Sequence, residues 1–170
     1  MDGVLIDDLV VFFALVYYAL LSIVYFLRAC EFTRLEWKLS PVFSAQLLPF
    51  ALLWLLNLLL GNDSGRLIAG LPIIVYLVYD LWYRAITQKK PYHHPDRWPV
   101  GLVVYLLLLF AGSIGLNWYG YLISRFYGSV LVVAFFIMMS FYSYYQYRYN
   151  KSKKTKEGQT DVNGMRNEVS

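Results

Sequence analysis

Charged residues and the residue types of catalytic and metal sites are scarce in this sequence. Only 15% of the 170 residues are charged, whereas a soluble domain carries about 25%. The chain has one cysteine, Cys30, so an internal disulfide is impossible. Its 2 histidines, His93 and His94, are neighbours, and neighbouring side chains in an extended segment point apart. A bound metal is therefore not expected.

Recognisable catalytic patterns are also missing. The sequence contains no Cys-x-x-Cys pair, no glycine-rich phosphate-binding loop, no nucleophile loop for a Ser-His-Asp arrangement and no cluster of carboxylates. We therefore expect a protein that is not an enzyme and that carries no cofactor. The lysines near the C-terminus are expected to face anionic lipid rather than nucleic acid.

Apolar residues, by contrast, are abundant and make up 59% of the chain. They concentrate in long stretches that approach the roughly 20 residues a helix needs to cross about 30 Å of hydrocarbon. The five stretches are 9–27, 42–60, 67–83, 100–116 and 130–147. The expected fold is therefore all-α, a polytopic membrane helix bundle of five transmembrane helices within residues 1–149. Residues 150–170 are polar and basic, which predicts a disordered cytosolic tail.

The fourth stretch, 100–116, decides the topology. It is short, and Gly112 and Gly115 weaken it as a helix, so a tilted or half-inserted segment is the alternative to a full crossing. All of the 15 basic residues except Arg66 and Arg125 fall after stretches one and three or in the tail. Because lysine and arginine favour the cytosolic side, five crossings place the N-terminus outside or in the lumen and the C-terminus in the cytosol.

Asp80 is the acidic residue well inside a predicted span. An intramembrane carboxylate is costly and is often functional. Arg84 lies one turn further along, so a local ion pair is the main interpretation, and a polar contact to a partner's helix is the alternative. A proton relay is not expected, because no second buried acid is predicted to receive the proton. Asn57, in the second stretch, can hydrogen-bond within the bundle or toward a client protein.

The order of these features resembles the cornichon family of small membrane proteins. In that family the first span leads into a cytosolic loop with a Leu-x-x-Asp-Tyr-x-Asn-Pro type motif, and the similar stretch here is Leu35-Glu36-Trp37-Lys38-Leu39-Ser40-Pro41. The family's later Leu-Pro step is similar to Leu71-Pro72, and its Asp-Pro-Thr type turn to His94-Pro95-Asp96. The resemblance covers about residues 1–100.

This resemblance implies a cargo receptor or adaptor that helps membrane proteins leave the endoplasmic reticulum. Its partners would be client membrane proteins and the COPII coat, and its location the endoplasmic reticulum or Golgi membrane. Together with the polar residues of the spans, the similar motifs give the candidate partner-binding residues: Leu35, Glu36, Pro41, Asn57, Pro72, Asp80, His94, Pro95 and Asp96. Family members are usually described with four spans, so the predicted fifth is a departure.

Other classes of function also fit a small chain that is rich in aromatic residues and has no catalytic motif. One is a non-catalytic structural subunit of a larger membrane complex. Another is a small lipid or solute transporter, or an enzyme acting on lipid, with His93, His94 and Asp80 as the candidate residues.

The predicted orientation can be tested at the glycosylation sequons Asn62-Asp63-Ser64 and Asn150-Lys151-Ser152. Asn150 should carry no glycan because it lies on the cytosolic side, and Asn62 should carry none because it lies too close to the membrane. Endoglycosidase treatment of the chain made in endoplasmic reticulum membranes should therefore leave its electrophoretic mobility unchanged. A glycan on the wild-type chain that is absent from an Asn150→Gln variant would show that the C-terminus lies on the luminal side, opposite to the predicted orientation.

Overall fold

A computed structural model describes residues 3–61, 63–87 and 100–167 of the chain. Every regular element in these ranges is an α-helix. The helices are α1 (Gly3–Ala29), α2 (Thr33–Ala45), α3 (Leu47–Leu59), α4 (Ser64–Thr87), α5 (Val100–Ile123) and α6 (Arg125–Asn167). The described part of the chain is therefore all-α, as the apolar stretches predict.

Helical segments long and apolar enough to cross a membrane number 5 in the described residues. They are Val4–Ala29, Pro41–Leu59, Ser64–Trp82, Val103–Ile123 and Arg125–Lys151, and each overlaps one predicted stretch. The fourth has 21 residues, which at 1.5 Å per residue reaches about 31 Å, enough for a hydrocarbon core of about 30 Å. The prediction of five apolar helices is confirmed, and the sides on which the termini lie stay predictions.

The second segment is broken into α2 and α3 at Gln46. Pro49 lies in the first turn of α3, where backbone N–H groups have no partner within the helix. If α2 ran on without a break, Pro49 would remove a hydrogen bond to Ala45 and its ring would clash with that carbonyl. The helix therefore restarts at Leu47, although Gln46 itself keeps right-handed helical dihedral angles, with φ of −60° and ψ of −20°.

The glycines that weaken the fourth stretch lie at the contact between α4 and α5. A Cβ added to Gly112 would come within 3.2 Å of the Cα of Ile73, and one added to Gly115 would meet the backbone oxygen of Ala69. Small residues let helix backbones approach closely in membranes, where packing and interhelical hydrogen bonds drive association. Both glycines therefore support the pairing of α4 with α5, and α5 continues through them to Ile123.

The interior is built around α1, which contacts α2, α3, α5 and α6. Tyr17 is central and fully buried, and its ring packs edge-on against those of Phe50 and Tyr76 at centroid distances of 6.3 and 6.4 Å. The neighbouring buried residues of α1 follow helical spacing: Ala14, Tyr18, Leu21 and Tyr25. Edge-to-face aromatic pairs of this kind stabilise by about 0.5–1.5 kcal/mol beyond the buried area.

Beyond its apolar part, α6 continues into the polar C-terminal segment and ends at Asn167. Helices without a packed apolar face are marginal in water, because tertiary packing supplies most helix stability in proteins. Disorder of residues 150–170 in water therefore stays a prediction.

The α4–α5 contact predicts that Gly115→Ala destabilises the protein. The added methyl group meets the backbone of α4, which cannot rotate away as a side chain would, so we expect a loss of about 1–3 kcal/mol. The measurement is the thermal unfolding midpoint in detergent. Ile114→Ala is the matched control, because the neighbouring side chain is 62% exposed and its loss leaves the contact intact. A Gly115→Ala variant as stable as wild type would contradict the close approach.

Candidate functional site in the bundle interior

Polar side chains from α1, α3, α4 and α5 meet near one end of the bundle. Arg66 donates from Nη1 to Oδ2 of Asp7 at 2.7 Å. The Tyr119 hydroxyl donates to the other carboxylate oxygen, Asp7 Oδ1, at 2.9 Å. Asn57 Nδ2 in turn donates to the Tyr119 hydroxyl at 3.1 Å. We call Asp7, Asn57, Arg66 and Tyr119 the Asp7 cluster.

Helix ends bring this cluster together. Asp7 and Arg66 lie near the starts of α1 and α4, whereas Asn57 and Tyr119 lie near the ends of α3 and α5. Between α3 and α4, Gly61 adopts the left-handed backbone conformation with φ of 64°. Asp63 then accepts a hydrogen bond from the backbone N–H of Gly65 at 3.2 Å, which fixes the first turn of α4.

The cluster is largely sealed from the surroundings of the bundle. Asp7, Asn57 and Tyr119 are 4%, 2% and 3% exposed, and the Arg66 side chain is 25% exposed. Apolar side chains surround them: Ile6, Val10, Leu53 and Ala69. Breaking such a pair is strongly destabilising, because it leaves one charge buried without compensation.

Both carboxylate oxygens of Asp7 accept hydrogen bonds, so this group is arranged to bind helices together rather than to attack a substrate. A second, more exposed link lies beside it. The Tyr127 hydroxyl of α6 donates to Oδ1 of Asp8 at 2.6 Å. The adjacent residues Asp7 and Asp8 therefore link α1 to three other helices. Asp7 bonds to α4 and α5, and Asp8 bonds to α6.

Buried hydroxyl groups continue along the bundle away from the Asp7 cluster. The Tyr18 hydroxyl lies 3.0 Å from both the backbone oxygen of Ser113 and Oδ1 of Asn117. Further along, the hydroxyls of Tyr76 and Tyr105 are 2.7 Å apart, and either can donate. Polar side chains therefore lie at several levels along the bundle, although aromatic and aliphatic side chains surround them.

Asn57 and Asp80, predicted as polar contacts to a partner, both lie inside the bundle, at 2% and 1% exposed. The Asn57 amide donates to Tyr119 and to the backbone oxygen of Leu53 within the protein, and its contact to a client stays a prediction. The expected partner of Asp80, the Arg84 side chain, lies outside the described side chains, so that ion pair stays a prediction.

The motif residues predicted to bind partners are scattered by the fold. Leu35 and Pro41 are exposed on α2, whereas Pro72 lies within α4 beside Gly115. The side chain of Glu36 is not among those described. The histidine-containing loop, with His93, His94, Pro95 and Asp96, lies outside the described residues, so their predicted roles stay predictions.

Sequence reasoning missed Asp7, Arg66 and Tyr119. Asp7 and Arg66 fall just before the apolar stretches 9–27 and 67–83, and Tyr119 falls after the stretch 100–116, so all three lie outside the predicted spans. A signal was present for Asp7, since it shares the helical spacing of the buried residues Val11, Ala14 and Tyr18. Its burial also overturns the premise that Asp80 lacks a second buried acid.

Comparisons with protein-family models, with curated proteins and with solved structures find no match to this chain. Within the described residues, no group of three or more histidine, cysteine, aspartate or glutamate side chains is placed to hold a metal ion. Function must therefore be argued from the helix bundle itself.

The Asp7 cluster predicts a sharp difference between adjacent acids. Asp7→Ala leaves Arg66 and Tyr119 without their acceptor, and each buried donor left unsatisfied costs about 1–3 kcal/mol. Asp8→Ala is the matched control, because it removes a carboxylate whose bond to Tyr127 is exposed, so its unfolding midpoint should stay close to that of wild type. Thermal unfolding midpoints in detergent compare the two. Equal midpoints would show that the Asp7 cluster does not stabilise the bundle.

Proposed function

We propose that this chain is a membrane adaptor, a cargo receptor that binds client membrane proteins and assists their export from the endoplasmic reticulum. The proposal extends the resemblance of residues 1–100 to the cornichon family. Under it, the chain resides in the endoplasmic reticulum and Golgi membranes, with its C-terminus in the cytosol.

The pairing of buried polar groups within the bundle supports a partner-binding surface on its outside. Asn57 is engaged within the bundle, and the oxygens of Asp7 are both occupied. Under this proposal a client's helices meet the outer faces of the bundle, which carry exposed apolar side chains such as Phe12, Leu52 and Val133. Membrane helices associate there by close packing and by local polar contacts.

The observation that carries the proposal is the exposed face of α2. Leu35 and Val42 lie two turns apart on this helix and are 54% and 47% exposed. Phe32, just before the helix, is 56% exposed, and Lys38, also exposed, lies between Leu35 and Val42. The seven-residue interval between Leu35 and Val42 is one of the intervals at which apolar anchors let a helix occupy a partner's groove.

The position of α2 makes this face available to a partner. The helix follows α1, and its last five residues belong to the apolar segment that starts at Pro41, so its first part, with Leu35, lies at the membrane boundary if the spans insert. Phe43 anchors it, since that side chain is 2% exposed and packs against Tyr17. The same stretch carries the motif resemblance, and under the predicted orientation it faces the cytosol, where a vesicle coat assembles.

The test is affinity purification from native membranes in mild detergent, combined with measurement of client export. We expect Leu35→Ala together with Val42→Ala to weaken recovery of the client about tenfold, which corresponds to about 1.4 kcal/mol. The same variant should retain that client in the endoplasmic reticulum. The matched control is Leu52→Ala together with Leu55→Ala on α3, whose side chains are 58% and 46% exposed but lie outside the α2 face.

Equal loss of the client in both double variants would reject α2 as the recognition surface. Normal export of all surface proteins in cells lacking the chain would reject the cargo-receptor function. Recovery of the chain in a large complex of fixed stoichiometry, with export unaffected, would establish the alternative of a structural subunit.

A further inference from the structure

A groove between α5 and α6 has no use in the proposed adaptor function. It is partly open to the outside of the bundle, and its empty volume is about 250 Å³ when the open side is included. The surface exposed within it is apolar. Its walls include side chains of three helices: Tyr25 of α1, Leu106, Phe110 and Ser113 of α5, and Met138 and Tyr142 of α6.

The shape of the groove follows from the way α5 and α6 pack. The two helices approach closely near their connection, where a Cβ added to Gly120 would lie 3.1 Å from the Cα of Gly128. Phe110 and Met138 lie about ten residues from these glycines, which is about 15 Å along each helix. Large side chains at this level leave a gap on the outer face, and a flexible methionine can adapt to an irregular ligand such as an acyl chain.

The groove extends toward the end of the bundle opposite to the Asp7 cluster. The ring of Tyr18 contacts that of Phe135, and the ring of Tyr25 lies 5.2 Å from that of Tyr142. Because both contacts advance by the same number of residues, α1 and α6 run parallel. The end of α1 therefore lies beside the later part of α6, just beyond the Tyr25 wall of the groove.

Positive charge lies directly beside this wall. The guanidinium carbon of Arg28 is 5.6 Å from the centre of the Tyr25 ring. Further along α6, Arg148 and Lys151 are exposed. Glu31 is the one exposed acid among the described side chains at this end. An apolar wall is thus combined with a predominantly basic rim.

We infer that the groove binds one anionic phospholipid of the surrounding leaflet, with an acyl chain along the apolar wall and the phosphate at Arg28. Charge complementarity selects this occupant, because arginine matches the geometry of a phosphate and can bond it through two N–H groups. The cytosolic leaflet carries the anionic lipids, and under the predicted orientation it is the leaflet at the end of α1.

The test measures lipid binding to the purified full-length chain by native mass spectrometry in mild detergent. The chain is titrated with phosphatidylserine or with phosphatidylcholine of the same acyl chains, and wild-type protein should bind one phosphatidylserine at a lower concentration than phosphatidylcholine. Arg28→Gln should weaken phosphatidylserine binding about tenfold, which corresponds to about 1.4 kcal/mol, and should remove the preference. Arg125→Gln is the matched control, because this exposed residue begins α6 at the opposite end of the bundle.

A second pair of variants tests the apolar wall. Leu106→Trp places a large ring in the groove, so we expect it to weaken binding of both lipids about tenfold. Leu107→Trp is the matched control, because Leu107 is 64% exposed and is not part of the groove wall, so both lipids should bind as in wild type. Thermal unfolding midpoints verify that each variant is folded, and Arg28→Gln decides the result if Leu106→Trp does not fold.

Equal affinity of the wild-type chain for the two lipids, or lipid uptake that does not saturate, would overturn the inference. Phosphatidylserine binding that is unchanged in either Arg28→Gln or folded Leu106→Trp would overturn it as well. No client is present in these measurements, so their result is independent of the adaptor proposal.

Discussion

The contact between Asp7 and Arg66 is the interaction on which the arrangement of this bundle depends most directly. It joins the start of α1 to the start of α4 at 2.7 Å, and Tyr119 adds α5 through the second carboxylate oxygen at 2.9 Å. In a membrane, apolar faces gain little from meeting one another, because lipid is equally apolar. Buried polar bonds and close backbone contacts therefore decide which helix faces turn inward, and the Asp7 cluster does so at one end.

Close packing complements this polar link along the α4–α5 contact. Gly112 and Gly115 remove the side chains that would separate the two backbones, while Tyr76 and Tyr105 bond across the same pair of helices further along. The interior therefore contains polar groups that bond one another, such as Asp7 with Arg66 and Tyr76 with Tyr105, whereas many large apolar side chains are exposed on the outside. That division is why the adaptor proposal depends on the exposed face of α2.

Much of the fold followed from the sequence alone. Five apolar helices were predictable because a stretch of about 20 apolar residues has few alternatives to a spanning helix. The ends of these helices were harder to predict. For example, α5 runs to Ile123 rather than stopping near residue 116, because the helix continues through glycines that have a packing role. The break at Gln46 was also missed, although Pro49 gave a local reason for it. For the site, Asn57 and Asp80 were singled out as candidate partner contacts; both side chains lie inside the bundle, and that role stays a prediction.

By itself, the sequence determined that the chain is helical and apolar enough to cross a membrane several times, because helix length and hydropathy are local properties. Only the tertiary structure decided which polar residues meet. Asp7 and Tyr119 are 112 residues apart in the chain, and Tyr18 and Asn117 are 99 apart. Such contacts depend on how each helix is rotated about its axis against its neighbours. That rotation is fixed by packing and by the need to satisfy buried polar groups, and no local pattern records it.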